Sequence, residues 1–390
     1  MKILVFSFYH PPDLSAGSFR IKSLLQELQK HSNKITVDVI TTYPNRYSSF
    51  KTHIKHEDFE EAFNIHRINV PNHKSGMLSQ AISFIYFAFE AIKISRNIQS
   101  DVVFATSSRL MTATLAAYTA KQKKADLILD IRDLFLDTIK EILNPILSML
   151  IYPILKRVEF FTFNKAKKIN VVSDGFRAYI KNINPNAKIT CYTNGIDKEF
   201  LNLENNHKTL VLEKNFKTIL YVGNIGDGQG LHKIIPDIAQ QISNQFKFLI
   251  IGDGGKINEL KKEISLKNIK NVNFIKPMPR LELLKHYNDA DILFLHLNEY
   301  KCFRKVLPSK IFEYATFNKP IIAGVDGYAK DFINSEINWA VTFPPCNSKE
   351  CIKAIKNNLV DTSTIDNADF KRKYNREDIM KTFVDDIFFN

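Results

Sequence analysis

Short apolar runs with little polar interruption recur along this chain, and helical spacing follows most of them. ILVFSF (3–8), ITVDVITT (35–42), DVVFATS (101–107), LILDI (127–131), INVVS (169–173) and KITCYTNG (188–195) form one series. KTILYVGNIG (217–226), FKFLIIGDGG (246–255), NVNFI (271–275), DILFLHL (291–297), PIIAGV (320–325) and AVTF (340–343) form a second. A continuous apolar run is buried on both faces, which suits a parallel strand covered by helices. Between the runs, Ile21, Leu24, Leu25 and Leu28 stand at spacings of three and four, and KINELKKEI (256–264) also reads as helix. Two successive series of this kind predict an α/β chain with two Rossmann-like domains. At 390 residues the chain is also too long for one ordinary core. The expected domains are 1–200 and 216–365, joined by the polar linker LNLENNHKTLVLEKN (201–215). REDIMKTFVDDIFF (376–389) reads as a last amphipathic helix.

The net charge of +13 is uneven: residues 1–200 hold 27 Lys/Arg against 18 Asp/Glu, residues 201–390 hold 27 against 23. A basic first half points to an anionic partner there, such as phospholipid, a lipid diphosphate or nucleic acid. The excess is not gathered into a stripe with stacking aromatics, as a nucleic-acid groove requires. MKILVFSFY opens directly into a strand, so no secretory signal is expected. Cys191, Cys302, Cys346 and Cys351 form neither a disulfide framework nor a zinc ligand set, which suits a reducing cytosol.

Two segments bear on membranes. MLSQAISFIYFAFEAIKIS (77–95) approaches spanning length, but Glu90 and Lys93 interrupt it, so a half-buried helix is expected. NPILSMLIYPILKRVEFFTFNKAKK (144–168) mixes apolar, aromatic and basic residues, and Pro145 and Pro153 argue against one straight helix. The pattern fits an interfacial segment on anionic lipid, or an ordinary core helix pair. Attachment is expected to be electrostatic and released by salt.

Glycine loops stand where strands end and helices begin: SAGS (15–18) with Gly17, GNIGDGQGL (223–231) with Gly223 and Gly226, and GDGG (252–255) with Gly252 and Gly254. Glycine lets backbone approach a phosphate, and a helix N-terminus favours its charge. Together they favour a nucleotide-linked ligand. In FRKVLPSKIFEYATFNKPIIAG (303–324), Ser309 reads as the N-cap of a helix that carries Lys310 and Glu313. A carboxylate at Glu313 can accept both ribose hydroxyls, or can simply complement the helix dipole. Asp133 follows an apolar strand, so it can orient or deprotonate an acceptor hydroxyl, or be tied into an ion pair with Arg132. His10 borders the cleft or is structural. Asp289-Ala290-Asp291 precedes a strand, at the wrong end for phosphates.

YHPPDLSAGSFR (9–20), DIRDLF (130–135), VVSDGF (171–176), TNGID (193–197), VGNIGDGQGL (222–231) and the Glu313 helix fall in a familiar order. Over essentially its whole length the chain resembles family-4 retaining glycosyltransferases of the GT-B fold. PPDLSAGSFR, VLPSKIFEYA and AGVDGYAKDFI look like the WbuB-like subgroup of bacterial surface-polysaccharide (O-antigen or capsule) enzymes, several linked to N-acetyl-L-fucosamine transfer. The resemblance implies two Rossmann-like domains facing a central cleft, with residues 366–390 crossing back to the N-terminal domain. It implies a nucleotide sugar held by Gly17, Gly223, Asn224, Gly226, Gln229, Gly252, Gly254, Arg304, Lys305, Ser309, Lys310 and Glu313. The acceptor, a polyprenyl-diphosphate-linked saccharide, would meet His10, Ser18, Arg20, Arg132 and Asp133. Catalysis falls to Asp133 and Glu313, with no metal or cofactor, on the cytoplasmic face of an inner membrane.

Two departures from the family pattern involve three positions. Lys305 stands where a first Glu is usual, and Asn224 and Gln229 stand where an Arg and a Lys are. Arg304 or Lys305 would then supply the diphosphate charge, unless Lys305 points to solvent. Two other functions fit the same chain: a sugar-nucleotide 2-epimerase of this architecture, and a non-catalytic polyanion-binding protein.

Overall fold

The computed structural model describes residues 1–45, 61–71, 77–107, 110–201, 216–357 and 364–389. The expected linker therefore lies, beyond Leu201, outside the described residues. The chain divides into two units, Met1–Asn194 with Glu377–Asn390, and Gly195–Arg376.

The first unit holds β1 (Lys2–Phe6), β2 (Thr36–Thr42), β3 (Asn64–Ile68), β4 (Val102–Ser107), β5 (Asp126–Ile131), β6 (Lys168–Val171) and β7 (Lys188–Cys191). They form one parallel sheet in the order β3-β2-β1-β4-β5-β6-β7. Its helices are α1 (Ala16–Gln29), α2 (Met77–Arg96), α3 (Leu110–Lys123), α4 (Phe135–Ile142), α5 (Pro145–Lys165) and α6 (Arg177–Ile183). The apolar stripe of α1 (Ile21, Leu24, Leu25, Leu28) is buried on β1, β2 and β4. Met380, Phe383, Val384, Ile387 and Phe388 from the end of the chain complete the same core.

Sequence reading missed one strand, and the helix pair it offered within 144–168 is one continuous helix. NIHRI, β3, has only two apolar residues in five and sits at the sheet edge, so it lacks the continuous apolar run that marks the inner strands. Helix α5 runs unbroken through Pro153. A proline deletes one N–H and crowds one carbonyl, which kinks a helix without having to end it. Asn144 caps this helix by accepting the N–H of Ile146 at 3.0 Å.

The second unit holds β8 (Lys217–Asn224), β9 (Phe246–Asp253), β10 (Val272–Ile275), β11 (Ile292–His296), β12 (Ile321–Gly324) and β13 (Ala340–Phe343). The sheet is again parallel, in the order β10-β9-β8-β11-β12-β13. Its helices are α7 (Lys198–Leu201), α8 (Leu231–Gln241), α9 (Ile257–Leu266), α10 (Arg280–Asp289), α11 (Lys310–Tyr314), α12 (Tyr328–Glu336), α13 (Ser348–Asn357) and α14 (Ala368–Lys373). Helix α15 (Arg376–Val384) carries the chain back into the first unit. Residues 195–200 belong to the second unit because Ile196 bridges Asn375, and Ile196 O also accepts the N–H of Arg376 at 3.0 Å.

Candidate functional site

In the second unit the strand order reverses between β8 and β11, which opens a crevice at their C-terminal ends. The loops there pack backbone against backbone. A Cβ on Gly252 would lie 1.8 Å from the Gly223 carbonyl oxygen, and one on Gly254 would lie 2.6 Å from the Ile225 backbone. Gly230 takes φ +61°, a left-handed turn that leads into α8. Asn224 and Gln229, which stand where the resemblance led us to expect cations, bind one another. Asn224 Nδ2 donates to Gln229 Oε1 at 2.8 Å, and the same oxygen accepts the Gly226 N–H at 3.2 Å, which closes the loop.

A cation reaches this region from the first turn of α8. Lys233 Nζ donates to Asn298 Oδ1 at 3.0 Å and to Glu299 Oε1 at 3.3 Å, and lies 5.3 Å from the Tyr300 ring centroid. His296, at the end of β11, braces the loop from below. Its Nδ1 lies 2.6 Å from Gln229 O, and its Nε2 accepts the Cys346 N–H at 3.0 Å. Those partners fix the proton on Nδ1. Burial pushes its pKa down to about 4, so the ring is neutral.

Helix α11 begins at Lys310 with Ser309 at the expected N-cap position, but the side-chain cap is not made. Ser309 is itself in the helical region and its hydroxyl makes no capping bond. A cap needs extended backbone to turn its oxygen toward the first N–H groups. Backbone carbonyls take those donors instead: Ile311 N–H goes to Pro308 O at 3.2 Å and Phe312 N–H to Ser309 O at 3.3 Å.

Glu313 is buried and strongly engaged. Its Oε1 accepts from Arg280 Nη2 at 3.1 Å, and its Oε2 from Lys310 Nζ at 2.7 Å and Tyr287 Oη at 3.2 Å. Burial alone would raise its pKa, but the Lys310 and Arg280 charges outweigh that and hold it below the usual range. Arg280 also binds Asp197, and Asp197 pairs with Arg376 at 2.5 Å. Arg376 Nη2 donates to Gly195 O at 3.1 Å. One buried ion network thus joins Glu313 to the two places where the chain enters and leaves this unit.

Arg304 is exposed and paired with Asp326 at 3.0 Å, while Lys305 is half-buried. Asp291 accepts the Thr218 N–H at 2.7 Å at the N-terminal side of β11, away from the glycine loops.

In the first unit the crevice lies between β1 and β4. Arg132 spreads over Gly17, where an added Cβ would sit 2.1 Å from its Nη1. Gly17 therefore meets a guanidinium at the start of α1. A water-sized cavity of about 10 Å³ lies here, lined in part by Ser7, Tyr9, Thr106 and Arg132. Asp133 is partly exposed beside it. Burial raises its pKa to about 6 against the opposing pull of the Leu134 N–H and Arg132.

His10, Ser18 and Arg20 lie deeper. His10 is enclosed, with Nδ1 3.2 Å from Pro11 O and 3.3 Å from Arg67 Nη2. Burial and Arg67 push its pKa down to about 3, so it is a neutral interior histidine. The Ser18 backbone N–H donates to Ser15 Oγ at 3.2 Å. Arg20 forks onto Asp130 at 2.7 and 2.9 Å, and donates to Thr193 O at 2.7 Å and Tyr192 O at 3.0 Å. Its charge is spent inside the fold, where it positions the loop after β7.

Sequence reasoning passed over Asp197, Lys233, Arg280, Tyr287 and His296. Asp197 lies in the quoted TNGID stretch and His296 ends an apolar strand, so both carried a positional signal. Arg280 and Tyr287 stood in an ordinary helix with none.

Among the described residues no group of three or more His, Cys, Asp or Glu is placed to hold a metal ion. No helix among them is long and apolar enough to cross a membrane.

The family model described as Glycosyl transferases group 1 matches residues 202–376. The chain is 22% identical over 332 residues to the "Probable glycosyltransferase WbjE" of Pseudomonas aeruginosa, covering 83% of this chain and 80% of that one. WaaG, described as a glycosyltransferase involved in lipopolysaccharide biosynthesis, superposes with a TM-score of 0.71 at 11% identity, over 100% of both chains. Anabaena HepE, solved in complex with UDP and glucose, gives 0.68 at 12% identity over 99% of both. The two parallel-sheet Rossmann-like units are those of the GT-B fold, and the chain is a glycosyltransferase.

Proposed function

We propose that this enzyme transfers a sugar from a nucleoside diphosphate to a polyprenyl-diphosphate-linked saccharide, with retention, in O-antigen or capsule assembly. A WbuB-like enzyme of this kind would move N-acetyl-L-fucosamine or a related amino or deoxy sugar. The observation that carries the donor half is Glu313, a buried carboxylate at a short helix beside the glycine loops. Two carboxylate oxygens offer about four lone-pair sites, and Arg280, Lys310 and Tyr287 take three. The fourth, on Oε1, is open to one ribose hydroxyl, and release of Lys310 frees a second. Lys310 is then available to the diphosphate, so one exchange of partners serves both groups. Lys233 and either Arg304 or Lys305 add positive charge, and the departing diphosphate needs no metal.

The acceptor half rests on Asp133, whose raised pKa lets it hold or receive a proton near neutrality. WaaG, by its title, supports lipopolysaccharide synthesis, WbjE by its name supports glycosyl transfer, and HepE supports a uridine nucleotide. In this reading the reaction runs on the cytoplasmic face of an anionic inner membrane. Thermal-shift screening against uridine, guanosine and thymidine diphosphosugars should show one stabilising series. That donor should yield glycosylated polyprenyl-diphosphate saccharide with the anomeric configuration kept, read by NMR. Glu313→Gln should weaken donor binding at least tenfold. Wild-type binding by that variant would remove the ribose role.

A further inference from the structure

The first unit carries an apolar outer surface that its own fold leaves uncovered. The connections β3 to β4, β4 to β5 and β5 to β6 all step in one direction across the sheet. With right-handed crossovers, α2, α3 and α5 must lie side by side on one face. Helix α3 packs against both of its neighbours. Helix α2 buries Phe84, Phe87 and Ala91 at spacings of three and four, yet exposes Ile82 (60%), Ile85 (54%) and Phe89 (71%) on its other side. Helix α5 exposes Met149 (72%), Leu150 (65%) and Ile154 (62%). Tyr118 of α3 is exposed between them. Side chains of this size seldom stand together in water without a partner.

The polar side chains on these helices show what the partner is. Lys93, Arg96, Lys140, Lys156, Arg157 and Lys165 are all exposed on or beside α2 and α5, whereas Glu90, Asp137 and Glu141 are half-buried. Apolar side chains flanked by cations match a bilayer whose acyl region lies beneath anionic headgroups. A neutral or basic protein partner would leave the cations opposed. No helix among the described residues can cross the bilayer, so the fit is to its surface.

We infer that the joint face of α2, α3 and α5 inserts its apolar side chains into an anionic bilayer. This deepens the reading of a lipid-linked acceptor and rests on it for its purpose, while its geometry stands alone. It also changes the attachment expected from sequence: with Phe89, Met149 and Leu150 in the acyl boundary, salt should loosen binding without abolishing it.

The chain has one tryptophan, Trp339, buried in the second unit, so a second one reports cleanly. Phe89→Trp and Leu150→Trp would be titrated separately with phosphatidylethanolamine vesicles with and without phosphatidylglycerol. Both emissions should shift to the blue on anionic vesicles, be quenched by brominated acyl chains, and persist in high salt. Phe89→Glu with Leu150→Glu should cut vesicle binding more than tenfold and leave nucleotide-sugar binding unchanged, which also certifies folding.

Complete release by salt with no quenching would overturn the inference. So would reporters already blue-shifted before vesicles are added in a protein that sediments as a dimer, because a second copy would then cover the face. Vesicle binding by an enzyme that transfers no sugar would sink the transferase reading alone. Transfer to a water-soluble acceptor without vesicle binding would sink this one.

Discussion

Replacing Arg280 by Met keeps most of the unbranched apolar stem and removes the charge that joins Asp197 to Glu313. Both carboxylates are nearly buried, at 9% and 7% exposure, so neither can turn to water. Breaking a buried pair by deleting one partner costs about 3–5 kcal/mol. Here each carboxylate keeps a second cation, Arg376 at 2.5 Å and Lys310 at 2.7 Å, which places the cost at the lower end, about 3 kcal/mol. For a unit of this size that lowers the melting temperature by about 6–12 °C.

The pH dependence follows from the depressed pKa of Glu313. A depressed carboxylate stabilises the fold above its unfolded pKa, about 4.3, and loses that contribution as pH falls through the folded value. Arg280 supplies part of the depression. The gap between wild type and Arg280→Met should therefore be full at neutral pH and close in acid, below the ordinary carboxylate range. Denaturant melts followed by circular dichroism at several pH values would read it. Arg280→Lys should recover only part of the loss, since one ammonium cannot fork across two carboxylates as a guanidinium does. A gap below about 1 kcal/mol, or one that stays constant into acid, would refute the network as a determinant of stability.

Three further outcomes are expected. Transfer rate should climb with pH through about 6 as Asp133 loses its proton, and Asp133→Asn should lose most activity along with that limb; an unchanged profile in the variant would remove Asp133 as the base. Arg304→Met and Lys305→Met, titrated by calorimetry, should separate two roles. A cation on the diphosphate weakens nucleoside diphosphate and diphosphosugar alike, by about tenfold or more, while one reading the sugar weakens only the latter. Gly252→Ala should destabilise the second unit by about 1–3 kcal/mol, because its methyl would sit 1.8 Å from the Gly223 carbonyl; a wild-type melting temperature would mean that the two loops can part.

The comparison of sequence with structure divides along a physical line. Inner parallel strands are buried on both faces, so DVVFATS and FKFLIIGDGG announce themselves by composition alone. Glycines at strand ends do the same where backbone must pass close to backbone, as at Gly252 and Gly254. The position of Glu313 near the start of a helix was legible because local spacing sets it. Edge strand β3 was not legible, since its mostly polar sequence, with only Ile65 and Ile68 apolar, resembles many loops.

What the sequence could not reveal is which charges find each other. Asp197 and Arg280 are 83 residues apart, and Arg20 and Asp130 are 110. Coulomb and hydrogen-bond partners depend on distance in space, and no local pattern encodes it. The same limit hid the burial of His10 and the neutral state of His296, which are set by whatever packs around each ring. It also hid the apolar face. Exposure of Phe89 and Leu150 is decided by the absence of a covering element, and only the folded layer of α2, α3 and α5 reveals that.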